Sequence, residues 1–370
     1  MPSTSVNYEL WDTNTFLGVM RDVEEDPLYW MQWFTKTVET DATGYIDFEK
    51  MPILNRKLAP FVLPEGRGRS VYDDSSTAYR FKPAYVKVHD EIDPLMPLTR
   101  RVGIDSNMSQ LRLDLISPMQ RLDLIRAAMT ASHVRAIKRT HNYMAAVALR
   151  DGKITLTGDE YPTTLVDFQR DAGHTITLGA GDRFGDAGVS ILDFLQLVID
   201  TMSVTAFGAV PVRVTMGANV WAVMRKDAEF KALLDLNYSS KPLLEYERGL
   251  YTAAGQKVFR VGTIGVGGAS GQIIELWVDN STYLDPQTNA STRYLGSHQM
   301  LFTGTAEDVM GHQAFGAIKS RAASYMPLEI FGQNWLGPKP QEVEYIQHES
   351  APLMVPINPN ATLLANVLAP

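Results

Sequence analysis

Between Tyr85 and Ile92 the chain alternates: Val86, Val88 and Ile92 share one side, and Tyr85, Lys87, His89 and Glu91 the other. A period of two predicts a strand with one buried face. Pro94 and Pro97 follow, fixing φ and withdrawing amide donors, so the ladder stops there. Asp93 and Met96 precede them and are pushed towards extended backbone. A different period governs Ser117 to Leu149. Leu122, Ile125, Met129, Ala136, Met144 and Val147 fall close to one helical face. Ser117-Pro118-Met119-Gln120 supplies a cap, a first-turn proline and a capping-box glutamine, and Asp151-Gly152 ends the pattern. At 1.5 Å per residue this helix, over about 117–149, is about 45–50 Å long.

The remaining patterns are shorter. Tyr45 to Met51 sets Ile46 and Phe48 against Asp47 and Glu49, a half-buried strand. Pro60 to Arg80 is rich in glycine, serine and paired charge. A bare loop of about 20 residues is uncommon inside a compact domain, so this stretch reads as an extended hairpin leaving the body, with Gly66-Arg67-Gly68-Arg69 near its tip. A plain surface loop is the alternative. Gly152 to Phe168 predicts another hairpin, and the glycine-rich Asp171 to Gly188 a loop between domains. Leu192, Leu195, Val198, Ile199 and Met202 line the next amphipathic helix, which opens at Ser190. Strands are expected at Pro211–Met216, Lys257–Ile264, Gln272–Asp279 and Met300–Gly304, with a helix at Gly217–Phe230. This alternation, from about 190 to 305, predicts a separate α/β unit. Further strands are expected at Ala314–Tyr325 and Val343–Gln347, and the proline-punctuated tail from Ser350 to Leu368 suits a strand at a sheet edge. The fold class is α+β, one domain being interrupted by another.

Composition narrows the chemistry. A chain of 370 residues, 45% hydrophobic and 21% charged, is long enough for a substantial core. Without cysteine there are no disulfides, thiolates or cysteine-ligated metals, and a reducing cytosol suits it. No run approaches the roughly 18 apolar residues of a membrane span, since Asp193 and Asp200 break even Val189–Val214. The first residues lack the basic and apolar regions of a signal peptide. A net charge of −8 argues against wrapping nucleic acid by phosphate neutralisation.

Candidate sites for catalysis are weak. The run Gly262 to Gly271 places Ser270 where a dinucleotide fingerprint begun at Gly265 needs glycine or alanine, and it separates two expected strands, so a hairpin turn is favoured. The histidines, including His133, His141, His174, His298, His312 and His348, form no metal-binding spacing. His133 and His141 lie two turns apart on the long helix. There is no nucleophile elbow and no zinc-protease motif, and Asp73-Asp74 on a loop defines no acid/base dyad. No catalytic, cofactor-binding or metal-binding residue is assigned.

Two features invite a partner instead. Asp26-Pro27 offers a helix start, after which Leu28, Tyr29, Trp30, Met31, Trp33 and Phe34 crowd one segment. These aromatics are either an anchor in the chain's own core or an arm laid on a neighbour. The basic residues Arg126, Arg135, Lys138, Arg139 and Arg150 of the long helix make either a DNA-facing stripe or a solvated, partner-facing surface, the second being favoured.

The run from Tyr85 to Arg101, with Tyr-Val-Lys, Ile-Asp-Pro and Met-Pro-Leu-Thr-Arg-Arg, resembles the major capsid protein family typified by the phage lambda head protein. Collinear echoes are Asp26-Pro27-Leu28 with its aromatic tail, Gly152-Lys153-Ile154-Thr155-Leu156-Thr157-Gly158, and Ser350-Ala351-Pro352-Leu353-Met354. The resemblance implies an HK97-like capsid fold. Residues 1–44 would form an N-terminal arm, and 45–84 a strand and extension loop lying over an adjacent subunit. Residues 85–188 would form a peripheral domain with the spine helix, 189–308 an axial domain, and 309–370 the return to the peripheral domain. It implies a non-catalytic shell protein that forms hexamers and pentamers around double-stranded DNA in a virion assembled in the host bacterial cytoplasm. Portal, scaffold and decoration proteins are the implied partners, and no cofactor or membrane is implied. Tyr29, Trp30, Trp33, Phe34, Arg67 and Arg69 become candidate subunit contacts. The alternatives are a non-viral shell enclosing cargo enzymes and, with no site constellation behind it, an α/β hydrolase.

Overall fold

The computed structural model describes residues 10–21, 28–39, 46–50, 77–81, 83–96, 118–158, 161–205, 208–230, 258–266, 272–285, 287–338 and 343–369. Helix α1 (Thr13–Arg21) precedes a 3₁₀ turn, Tyr29–Trp33, that runs directly into strand β1 (Phe34–Glu39). Strands β2 (Ile46–Lys50) and β3 (Thr77–Phe81) pair antiparallel, so the expected hairpin has its stem here. Its tip, with Arg67 and Arg69, lies outside the described residues. Strand β4 (Val86–Ile92) ends in a turn at residues 94–96, where the prolines begin. Its inward side is the expected one, with Val86 and Val88 half-buried and Ile92 buried.

Helix α2 (Pro118–Asp151) spans 34 residues, about 50 Å. Gly152 stops it at φ +66, donating its amide to Ala148 O at 3.0 Å. A side chain there is excluded twice, by the left-handed backbone and by Arg170, whose Cβ lies 2.7 Å from where a Cβ would stand. The hairpin β5 (Lys153–Gly158) and β6 (Tyr161–Asp167) follows, then β7 (Thr175–Thr177) and α3 (Ile191–Val204), which Ser190 caps through the Asp193 amide. Strand β8 (Arg213–Gly217) leads into α4 (Ala218–Met224). The helix expected to reach Phe230 ends at Met224 instead. Asp227 accepts from the Phe230 amide at 2.9 Å and starts a fresh turn there.

Strands β9 (Val258–Val266) and β10 (Gln272–Asp279) are antiparallel neighbours flanking the glycine run. The element after that run is a strand, whereas a dinucleotide site needs a helix. Next come β11 (Thr282–Leu284), β12 (Ser291–Arg293), β13 (Gln299–Thr303) and β14 (Gly311–Phe315). The strand expected over Ala314–Tyr325 stops at Phe315. Beyond it the chain doubles back, with Ala317 bridging Pro327, Ile318 N–H donating to Met326 O, and Ser324 and Tyr325 at positive φ. The small residues in that stretch alternate without being a buried strand face. The chain finishes with β15 (Phe331–Leu336), β16 (Glu344–Ser350), β17 (Pro352–Pro356) and β18 (Thr362–Asn366).

Three sheets organise the molecule: β15-β16-β4 under α2, β1-β14-β17, and a six-stranded sheet of order β7-β18-β13-β8-β10-β9. Strand β17 holds the edge position expected of the tail. Strand β18 corrects the other half of that expectation. It lies inside the six-stranded sheet, between β7 and β13, and not with the strands under α2. The separate α/β unit is also less separate than its pattern predicts. One face of its sheet packs Leu276, Val278, Met300, Phe302 and Leu363 against α3 and α4. The opposite face sends Trp277, Leu301 and Leu364 into a second core shared with the C-terminal half of α2. Strands buried on both faces carry apolar side chains at successive positions, so alternation is muted there.

Candidate functional site

The aromatic segment sits between α2 and the six-stranded sheet. Tyr29, Trp30 and Phe34 are each 1% exposed and Trp33 3%, so the side chains expected on a neighbour are enclosed by their own chain. A 3₁₀ turn brings side chains three apart onto one side, and the rings pack edge-on or stacked at centroid distances of 5.0–6.1 Å. Polar groups of the segment are partnered in two directions. The backbone N–H of Trp30 donates to Asn142 Oδ1 on α2 at 3.0 Å. Tyr29 Oη shares a 2.7 Å hydrogen bond with Thr215 Oγ1 on β8, and Trp33 Nε1 donates to Gly304 O at 3.2 Å. Gly311 opposes Phe34 in the β1–β14 ladder because a Cβ there would stand 2.4 Å from Trp33 O.

Arg213 on β8 closes the arrangement. Its guanidinium lies 5.3 Å from the Trp33 ring centre and 4.8 Å from that of Trp277. It donates to Gln32 Oε1 at 2.7 Å and to Glu275 Oε2 at 3.2 Å. Trp277 Nε1 donates to the same Glu275 oxygen, and Arg260 approaches the other at 3.4 Å. Nearby, Asp279 is 1% exposed and accepts from the backbone and hydroxyl of Ser281. Burial pushes its carboxyl up to about 6.

A second polar array runs along α2 where it lies on β4 and β16. Arg126 grips Glu344 with two prongs, at 3.0 and 2.9 Å, both residues being 2% exposed. Asp123, held by Trp11 Nε1, accepts from the third guanidinium nitrogen. Two turns on, His133 Nε2 meets Asp90 Oδ2 at 2.9 Å and His133 Nδ1 meets His348 Nδ1 at 3.0 Å. In the neutral assignment that satisfies both contacts, His133 donates to Asp90 and accepts from His348. His348 Nε2 then faces Gly332, where a Cβ would stand 2.9 Å away. Farther along, His141 Nε2 lies 3.3 Å from Ser350 Oγ. Burial, then the neighbouring His133, lowers His348 to about 3. His141 falls to about 3 through burial and Lys138.

The basic stripe on α2 is corrected at two of its five members, while Arg139 is exposed and Arg135 and Lys138 are half-buried. Arg126 is buried on Glu344, and Arg150 holds Asp151 at 2.7 Å and Tyr294 O at 2.8 Å. The buried face of α2 contains the expected Leu122, Ile125, Met144 and Val147, together with Arg126, Thr130, His133, His141 and Asn142. The signal that would have found the polar members is their phase, which follows the apolar ones. Among the described residues no group of three or more His, Asp or Glu side chains could hold a metal ion, and no described helix is long and apolar enough to cross a membrane.

The family model for phage major capsid protein E matches residues 12–367. The chain belongs to that family. The lambda and phi80 phage relatives, both named major capsid protein, are each 24% identical, over 339 and 340 residues, covering about nine-tenths of this chain and 92% of theirs. A solved structure described as the putative capsid protein of a prophage of E. coli CFT073 superposes with a TM-score of 0.68 at 19% identity, covering 98% of this chain and 100% of its own. The fold of the chain is thus the α+β, HK97-like one of that family.

Proposed function

We propose that this chain is the major capsid protein of a tailed double-stranded DNA phage, whose copies assemble as hexamers and pentamers into an icosahedral head around the packaged genome. The observation that carries this reading is the family match over residues 12–367, reinforced by a fold shared along nearly the whole chain. The role is structural. The acidic balance of −8 lets a packaged polyanion slide along the wall instead of adhering. Strands β2 and β3 pair as a hairpin stem, and Arg67 and Arg69, in the stretch between them, suit carboxylates on an adjacent copy. The segment from α1 to the 3₁₀ turn is the root of an arm, its aromatics buried at home. Portal, scaffold and decoration proteins are further partners in this reading, with assembly in the host bacterial cytoplasm and the virion as destination.

Electron microscopy of the purified protein, and of particles from infected cells, tests this. Closed shells of uniform size, DNA-filled in the virion, are expected. Persistent monomers under all assembly conditions would overturn it, and empty cages around cargo enzymes would favour a non-viral shell.

A further inference from the structure

We infer that the 3₁₀ turn Tyr29–Trp33 together with Arg213 is a rivet that fixes the six-stranded sheet, with its α3–α4 core, at one angle to α2 across the core that the two share. The sheet's own core against α3 and α4 is apolar and self-contained, so nothing in it fixes how the sheet is oriented towards α2. That orientation is decided on the sheet's other face. There the turn spans the gap, with Trp30 bonded to Asn142 of α2, and Tyr29, Gln32 and Trp33 bonded to Thr215, Arg213 and Gly304. Tyr29, Trp30, Gln32 and Trp33 thus each bond to α2 or to the sheet side, and Gln32 also donates to Tyr29 O within the turn.

Arg213 is the pin. Its guanidinium lies over the rings of both Trp33, from the turn, and Trp277, from β10, while its N–H groups are taken by Gln32 and Glu275. A cation over two rings and bonded at its edges resists displacement, because sliding loses ring contact and tilting breaks the charge-assisted bonds. Apolar contact alone is far less directional. Under the capsid reading, the locked angle is what each copy presents to its neighbours. The test below uses the single chain and does not depend on that reading.

Hydrogen exchange followed by mass spectrometry, with peptides from α2 and from β8, β10 and β13, decides the matter across a urea series. In the wild type the two sets of amides are expected to exchange through one shared opening. In Arg213→Met the sheet amides are expected to exchange at least about tenfold faster than those of α2, through a separate opening at lower urea. Arg213→Lys, which keeps a cation over the rings, should restore most of the coupling, and Arg225→Met, on an exposed position, should change nothing. Equal acceleration of both sets in Arg213→Met, or no acceleration of either, overturns the rivet. If Arg213→Met does not fold, Gln32→Leu, which removes one bond to the pin, is read against the same criteria.

Discussion

Helix α3 and helix α2 each lie on a sheet, and they are held there differently. Between α3 and its sheet the buried side chains are Ile191, Phe194, Leu195, Val198, Ile199 and Met202, without a charge among them. Helix α2 meets β4 and β16 through Arg126–Glu344, His133–Asp90–His348 and His141–Ser350, with Leu122, Ile125, Val134 and Ile137 between. An apolar face tolerates small shifts, since the loss on sliding is gradual. A buried ion pair or imidazole contact tolerates almost none, because a displaced partner is left desolvated and alone. The contrast teaches that α3 is held mainly by burial and α2 by register.

The largest effect is expected where that difference is greatest. Glu344→Ala leaves the Arg126 guanidinium buried without its main counter-charge and should cost about 3–5 kcal/mol in urea denaturation. Restoring volume without charge, as Arg126→Met with Glu344→Leu, should return most of it. A double variant as weak as the single one would show that the pair stabilises beyond its own desolvation. Leu195→Ala on α3 should lose about 2–5 kcal/mol by cavity formation, and no second polar substitution should rescue it. Trp33→Ala, an aromatic truncation in the shared core, should cost about 3–5 kcal/mol and depress the monomer's thermal transition. A monomer transition left intact by this change, with assembly lost, would move Trp33 back onto a neighbour.

Acid should separate the two helices next. His141 and His348 titrate near 3 in the fold, below an exposed imidazole. Their neutral rings therefore stabilise fully above about pH 6.5, and that contribution is lost as pH falls. Between pH 7 and 5 the loss is about 2 kcal/mol for each ring. Asp279 runs the other way. Its pKa is raised to about 6, so its burial penalty grows as pH rises through 6, and acidification returns about 1 kcal/mol. The net expectation is a melting temperature that falls from pH 7 to 5, less steeply in His141→Gln and more steeply in Asp279→Asn. An unchanged slope in His141→Gln would show that ring to be already solvated. The smallest change in stability, within about 0.5 kcal/mol, belongs to Arg67→Glu with Arg69→Glu. Sedimentation should nevertheless show shells failing to form, and normal shells would make that loop tip passive.

The same contrast governs what was legible in the sequence. Helix α3 could be read almost residue by residue, because its buried side chains are apolar and keep helical phase. The ends of α2 were legible too, from Pro118 and Gly152. Its inward polar side was not, since Arg126 and His133 look like surface residues until Glu344 and His348, more than 200 positions away, are brought against them. The phase of Arg126 and His133 along α2 marks them as inward, but local pattern does not name the partners that make the burial possible. Tyr29, Trp30, Trp33 and Phe34 were visible as a cluster, but whether own core or neighbour covers them depends on the tertiary position of Arg213 and Asn142.

The position of β18 has a consequence for how the protein is made. Strand β7 pairs with β18 through Thr177 and Asn366, and β13 has β18 as its neighbour on the side away from β8. At about 5–20 residues per second, a ribosome needs roughly 3–13 s to travel from Thr303, the end of β13, to Asn366, the end of β18. For that interval a nascent sheet displays Met300, Leu301 and Phe302 on a strand with one open edge, the kind that accepts any extended segment nearby. On a crowded polysome translating many copies, the nearest such segment belongs to another copy. Speed of synthesis and spacing of ribosomes thus become part of what decides whether the sheet closes on its own strand.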